Sequence, residues 1–336
     1  MSTEIRAVQF SALNQVETVT QSLDTELGPG EVLLKSHYTC ISAGTELAKL
    51  TGLQEFAFPA ILGNRAVTEV LAVGNEVERF QVGDLVLSYT AHAEMAKINR
   101  GMIPGKLSAA LDAPETAMLG MAMVAMGGIC TADPAEGDHV LVTGGGLVGQ
   151  FAAQLTQAHG ATAILSDPVA GRREKATACG VKHVTDPADL AGLVDDLTDG
   201  KGVEQILECS GLPAVLLDAV PSARRSATVV LVGSPRGECH VNVTDLLSVI
   251  HLWIPHGDLT LKGAHEWKYP VHPDGSSSHS HESNLETLVR FVQEGSLQLK
   301  PLLTGVFDPG DPAAAYDSLR ENAEHYLGAV FSWIDQ

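Results

Sequence analysis

From Ile5 to about Tyr89, short runs rich in apolar and β-branched residues, of which Glu31–Tyr38 and Ala66–Val73 are the clearest, are separated by Gly, Pro and Asn. Such β-rich runs between turn residues predict strands, and several short strands in succession suggest a small barrel. After Pro104 the texture changes to an alanine- and methionine-rich helix over Ala113–Ile129. Beyond it, apolar runs at His139–Thr143, Ala161–Ser166, Val203–Glu208 and Thr228–Val232 read as strands, with a helix over Ala214–Val220 between the last two. Alternation of this kind predicts an α/β fold, a doubly wound parallel sheet with right-handed crossovers. Asp258–Gly263 is one more expected strand. A polar loop, Pro270–Ser283, then leads to an amphipathic helix from Asn284 to about Gly295, with Leu285, Leu288, Val289 and Val292 as its apolar positions.

The turn between the first two parallel strands carries the most specific chemistry. It reads Gly144-Gly-Gly146-Leu147-Val148-Gly149 and opens an apolar-faced helix. Gly144 permits the tight turn, Gly146 lets backbone approach a pyrophosphate, and Gly149 lets the helix pack close to the strand. The helix N-terminus offers its partial positive charge to the phosphates. Asp167, at the tip of the next strand and ~20 residues beyond the glycines, can accept the ribose hydroxyls of adenosine and would repel a 2′-phosphate. The expected cofactor is therefore NAD, although Arg172 and Arg173 nearby could lend some affinity for the phosphate.

A chain of 336 residues with 45% hydrophobic content can build two cores. Its 21 Lys and Arg against 41 Asp and Glu leave a net charge of −20. Such a surface repels polyanions, so neither nucleic acid nor an anionic membrane is an expected partner. No signal-like segment follows Met1, and no stretch approaches ~18 uninterrupted apolar residues, which leads us to expect a cytoplasmic protein. The five cysteines are odd in number and form no C-x-x-C pair, as suits reduced, mostly buried thiols.

Taken in order, several segments resemble the medium-chain dehydrogenase/reductase superfamily of the alcohol dehydrogenase type. Gly44-Thr45-Glu46 is similar to its Gly-Thr-Asp turn. Pro59–Gly63, Val73–Val77 and Val82–Val86 resemble the segment around its barrel. Glu208-Cys209-Ser210-Gly211, Leu231-Val-Gly233 and Leu259–Gly263 resemble the later nucleotide domain, and Leu299–Thr304 with Ala315-Tyr-Asp the returning C-terminus. Ile41–Glu46 is further similar to a branch that includes bacteriochlorophyllide a dehydrogenase. The resemblance implies a GroES-like β-barrel catalytic domain over 1–115 and 266–336 around a Rossmann NAD-binding domain over 116–265. It implies cofactor contacts from Gly144, Gly146, Leu147, Val148, Gly149, Asp167, Cys209, Ser210, Gly233 and Ser234. A homodimer paired through the edge strand at Leu259–Gly263 is also implied.

The departures from that pattern bear on the chemistry. Where the superfamily places a zinc-binding cysteine, histidine and third ligand, this chain has Ala43, Asn64 and the apolar run around Leu119–Met121, so no metal is expected. Without a Lewis acid, protein donors must polarise the substrate oxygen. Thr45 falls on the superfamily's hydroxyl-relay position. Arg65 and Glu46 replace a glutamate and an aspartate, and they either pair as a structural ion pair or place the guanidinium where zinc would sit. His265, after Gly263-Ala264, is a candidate proton shuttle. His279 and His281 could share a metal, but the serines and glycine around them, and around His272, suggest an exposed loop. Lys49 is a further acid/base candidate or a solvated helix residue.

The expected function is a zinc-independent NAD(H)-dependent dehydrogenase or reductase interconverting a secondary alcohol, plausibly a polyol or cyclitol, and its ketone. Reduction of an activated C=C bond, as in quinone or enoyl reductases, and a non-catalytic NAD-binding sensor are the alternatives.

Overall fold

A computed structural model describes residues 2–334, and the chain divides into two compact units. The first comprises Met1–Met121, Pro270–Thr287 and Leu302–Gln336. In it, Ser2–Ala12 and Gln15–Asp24 form a long antiparallel hairpin extended by the short strand Ala60–Ile61. A seven-stranded sheet runs Leu303–Phe307, Gly328–Ser332, Glu31–Cys40, Ala66–Val73, Leu85–Ser88 and Gly105–Leu107, with Met95–Asn99 paired to Glu31–Cys40 as well. Its core gathers Phe10, Ile41, Leu50, Tyr316, Phe331 and Trp333, so helices Ala43–Leu50 and Pro312–Glu321 are fixed by the aliphatic and aromatic faces they bury.

The second unit, Ala122–Tyr269 with Leu288–Pro301, holds six parallel strands. They are His139–Thr143, Thr162–Ser166, His183–Thr185, Val203–Glu208, Ala223–Leu231 and Thr260–Gly263. Numbered in that sequence they lie in the order 3-2-1-4-5-6, so the strand order reverses between His139–Thr143 and Val203–Glu208. Dinucleotides bind at such a reversal, outside the carboxyl ends of the strands. Leu141, Ile164, Ile206 and Val229 pack one face of the sheet, and Phe151, Ala152 and Leu155 of helix Leu147–Ala158 are wholly buried.

Two expectations about boundaries change. Leu288–Pro301 groups with the nucleotide unit, where the Gln298 amide donates to Gln154 at 2.7 Å and Phe291 meets the His159 ring at 5.7 Å. The amphipathic helix runs His281–Glu294 and so starts inside the expected loop. Ser280 and Ser283 exchange hydrogen bonds at 3.0–3.1 Å, which engages the Ser283 amide, while the amides of His281 and Glu282 donate to the Pro270 and Val271 carbonyls at 2.9 Å. Pro114–Ala132 has the length and hydropathy of a membrane span, yet 83% of it is buried, as in a core helix.

Candidate active site

The nucleotide unit builds its site from bare backbone. Gly144 has φ +90°, and a Cβ there would stand 3.0 Å from Ser210. At Gly149 a Cβ would stand 1.8 Å from the Gly144 carbonyl oxygen, so only glycine allows the helix to start against the turn. At Gly146 it would meet nothing within 4 Å, which leaves the space a phosphate needs before the amides of Leu147 and Val148. Across the strand reversal, Cys209 and Ser210 follow Val203–Glu208. The buried Glu208 carboxylate turns back to accept the amides of Ser210 at 2.7 Å and Gly211 at 3.1 Å. Burial raises the Glu208 carboxyl above its ordinary range despite those bonds, and burial with the Glu208 charge pushes the Cys209 thiol well above its own. Cys209 is thus a neutral packing group. Gly233 packs backbone against backbone, its Cβ position 2.4 Å from the Gly211 nitrogen, and Ser234 follows at the same rim. These residues fit a dinucleotide.

Asp167 is nine-tenths and more buried at the end of Thr162–Ser166. Its Oδ2 accepts the Gly145 amide at 2.6 Å, its Oδ1 the Val169 amide at 2.8 Å, and Arg172 lies 3.5 Å away. The carboxylate thus braces the glycine turn, in addition to the ribose role expected of it. His265 sits exposed before a short 3-10 turn, Glu266–Lys268, and its Nδ1 accepts the Trp267 amide at 3.3 Å. A proton would have to leave through Nε2.

In the first unit, Glu46 and Arg65 do not satisfy one another in the way expected. Glu46 is buried on helix Ala43–Leu50, and its Oε1 reaches back one turn to accept the N-cap Ser42 amide at 2.8 Å. Its Oε2 accepts the Tyr316 hydroxyl at 2.7 Å and lies 3.1 Å from His92 Nε2. The other ring nitrogen of His92 is 2.8 Å from the Thr39 hydroxyl, which also accepts Trp333 Nε1 at 3.0 Å. Burial alone would push the Glu46 carboxyl up, but the charge and hydrogen bond of His92, with Tyr316 and Ser42, leave it below the usual range. Gly63, at φ +99°, makes room for this imidazole, since a Cβ would stand 2.6 Å from the His92 nitrogen and 2.7 Å from its ring.

Arg65 is also buried, and its Nε donates to the Gly120 carbonyl at 2.9 Å and its Nη1 to the Asn64 carbonyl at 2.8 Å. Gly120 is required, because a Cβ would fall 2.1 Å from Arg65 Cδ. The guanidinium also covers the Tyr89 ring at 5.5 Å, and the Tyr89 hydroxyl is 2.6 Å from His281 Nδ1. His281 is therefore buried, against the exposed loop expected for it. His272 instead pairs with Glu282 at 2.9 Å and with Arg79. Thr45 is half-buried in the first turn of Ala43–Leu50, with its amide donating to Ser42 O. Lys49, on the same helix, covers the Phe56 ring at 4.8 Å.

The donor set does not suit zinc. Burial and then the Glu46 charge, against a smaller pull from Arg65, push the Cys40 thiol up to about 12, so it stays protonated. The ring nitrogens of His92 and both oxygens of Glu46 are already engaged. Among the described residues no group of three or more His, Cys, Asp or Glu is placed to hold a metal. His92, Tyr89 and Tyr316 escaped sequence reasoning, because their partners lie 46 to 270 positions away.

This is the architecture of an oxidoreductase with a nucleotide-binding unit. Residues 28–153 match the alcohol dehydrogenase GroES-like domain and residues 148–262 the zinc-binding dehydrogenase domain. L-threonine 3-dehydrogenase of Pyrococcus abyssi is 29% identical over 314 residues, covering 82% of this chain and 84% of that protein. Sorbitol dehydrogenase of Halalkalibacterium halodurans is 30% identical over 234 residues, 59% of this chain and 65% of that one. The solved structure of galactitol-1-phosphate dehydrogenase from Escherichia coli has the same fold, with a TM-score of 0.82 at 19% identity over 97% of this chain and 99% of that one. The chain belongs to the alcohol dehydrogenase-like medium-chain dehydrogenase/reductase superfamily, with a GroES-like unit and a Rossmann-like parallel sheet, and its homologues are alcohol and polyol dehydrogenases.

Proposed function

We propose that the protein is a zinc-independent, NAD(H)-dependent dehydrogenase that interconverts a secondary alcohol, of the polyol or cyclitol class, and its ketone. The observation that carries this reading is Arg65, whose buried guanidinium is anchored on the Gly120 and Asn64 carbonyls, in a chain whose neighbouring Cys40, Glu46 and His92 are all engaged otherwise. The nicotinamide, when bound, accepts or supplies the hydride. Gly144–Gly149 would hold the pyrophosphate, and Asp167 the adenosine ribose. Arg65 polarises the carbonyl oxygen as a fixed cation. Thr45 hydrogen-bonds the reacting oxygen, and His265 exchanges its proton with water through Nε2. The polyol class is favoured by the names of two similar proteins, which act on sorbitol and galactitol 1-phosphate.

We further infer a homodimer. Thr260–Gly263 ends the parallel sheet with one unpaired edge, and Trp253, Ile254, Leu261 and Trp267 expose apolar surface around it. A strand-to-strand pairing with a second copy would cover that edge.

The test is metal-stripped protein assayed with NAD and a panel of polyols, cyclitols and hydroxy acids. Hydride transfer that survives removal of all zinc is expected. Binding of NADH with no turnover on any secondary alcohol would instead mark a sensor, and turnover restricted to activated alkenes a C=C reductase.

A further inference from the structure

The side chain of Gln150 lies on helix Leu147–Ala158, one residue past the last glycine of the phosphate turn, and is wholly buried. A buried amide in the apolar stripe of a helix is costly, the more so here because Gln150 Oε1 has no hydrogen-bond partner, and what offsets that cost is its two donors. Here both go to carbonyl oxygens outside the helix: Gln150 Nε2 donates to Gly145 O at 3.0 Å and to Arg172 O at 2.8 Å. The same Gly145 donates its amide to Asp167 Oδ2 at 2.6 Å. One residue of the turn is therefore gripped at its amide and at its carbonyl, from the helix and from the following strand. Arg172, held at its carbonyl by Gln150, has its guanidinium 3.5 Å from that same Asp167 carboxylate.

We propose that Gln150 is a positioning residue for the cofactor: it fixes the backbone of the phosphate turn through Gly145 and, through Arg172, ties that turn to the residue pair at the adenosine end. This rests on the dinucleotide reading above. Without the amide, the turn keeps its glycines but loses the restraint on its carbonyl side. The Gly145–Gly146 amides then sample orientations that do not suit a pyrophosphate, and affinity falls although no atom of Gln150 touches the ligand.

Gln150→Met preserves length and buried volume and removes both donors. Hydrogen exchange of the Gly145 and Gly146 amides is measured in cofactor-free protein, and NADH and ADP-ribose affinity are measured well below the melting temperature. Thr156→Val, at a buried position of the same helix whose hydroxyl has no hydrogen-bond partner, is the packing control. Expected are faster exchange at both glycines and about tenfold weaker binding of both ligands in Q150M, with neither change in T156V. Unchanged affinity or unchanged exchange in Q150M overturns the proposal and leaves the dinucleotide reading intact, as does an equal effect in T156V. Should Q150M fail to fold, Q150N, whose shorter amide cannot reach both carbonyls, carries the same readouts. Wild-type protein that binds neither NADH nor NADPH would overturn the reading and the proposal together.

Discussion

The His92 imidazole stands 3.1 Å from the Glu46 carboxylate, and both side chains are almost fully buried. A buried carboxylate needs a cation or several donors, and here a histidine 46 positions away supplies what an arginine 19 positions away was expected to give. The arrangement ties the helix that bears Thr45 to helix Pro312–Glu321 through Tyr316 and to strand Glu31–Cys40 through His92 and Thr39.

Removing one partner of this pair should be more damaging than removing both. His92→Phe is expected to cost ~3–5 kcal/mol in denaturant unfolding, with the H92F/E46Q double variant recovering part of it. Because the folded Glu46 carboxyl lies below its unfolded value, its contribution is present above the ordinary glutamate range and lost as pH falls through the folded value. The stability gap between wild type and E46Q should therefore be constant near neutrality and narrow below about pH 4.3. A gap that widens on acidification contradicts the pairing.

Two glycines of the phosphate turn should respond oppositely to the same added methyl. Gly149→Ala drives a Cβ to within 1.8 Å of the Gly144 oxygen and should unfold the nucleotide unit or abolish NADH binding outright. Gly146→Ala meets no protein atom within 4 Å and should leave the melting temperature near that of wild type while weakening NADH. Fluorescence titration with NADH beside a thermal melt separates the two.

For the proposed polarising group, Arg65→Met should lower turnover by ~10²–10³ with substrate KM less affected. Arg65→Lys keeps the charge but loses the planar fork that spans the Gly120 and Asn64 carbonyls, and should recover only part of the rate. Full activity in R65M would leave the guanidinium a purely structural part.

Asp167→Ser should shift preference from NAD towards NADP and also weaken both cofactors, because the carboxylate braces Gly145 in addition to its proposed place at the adenosine ribose. The ratio of the two affinities reports selectivity, and their common decrease reports the brace. Equal affinity of the unmodified protein for NAD and NADP would remove Asp167 as discriminator.

Leu261→Lys, on the unpaired edge strand, should convert a dimer to monomer in sedimentation at micromolar concentration. A wild-type protein that is already monomeric there would dispose of the edge-pairing proposal.

What could be read in the sequence was what local chemistry determines. The strands Ala66–Val73, His139–Thr143 and Val203–Glu208 appear where apolar runs predicted them, since each is short, β-branched and bounded by turn residues. The glycine signature was legible because each of its members answers to a contact within a few residues or to the next loop. The start of helix His281–Glu294 was misread because a serine run suggests a loop, whereas Ser280 and Ser283 bond each other and cap the helix. The partners of Glu46 were illegible for a different reason. His92 and Tyr316 are brought to it by strand register and helix docking, for which no periodicity in the chain gives notice.

A side chain at position 120 and the aliphatic stem of Arg65 compete for one volume, so the two positions cannot be altered in arbitrary order. A laboratory lineage that first fills position 120 passes through an intermediate whose arginine is expelled and whose Asn64 carbonyl is stranded. One that first shortens Arg65 does not. Any laboratory route from this chain that places a side chain at 120 therefore runs through 65 first, and the return route empties 120 before it installs the arginine.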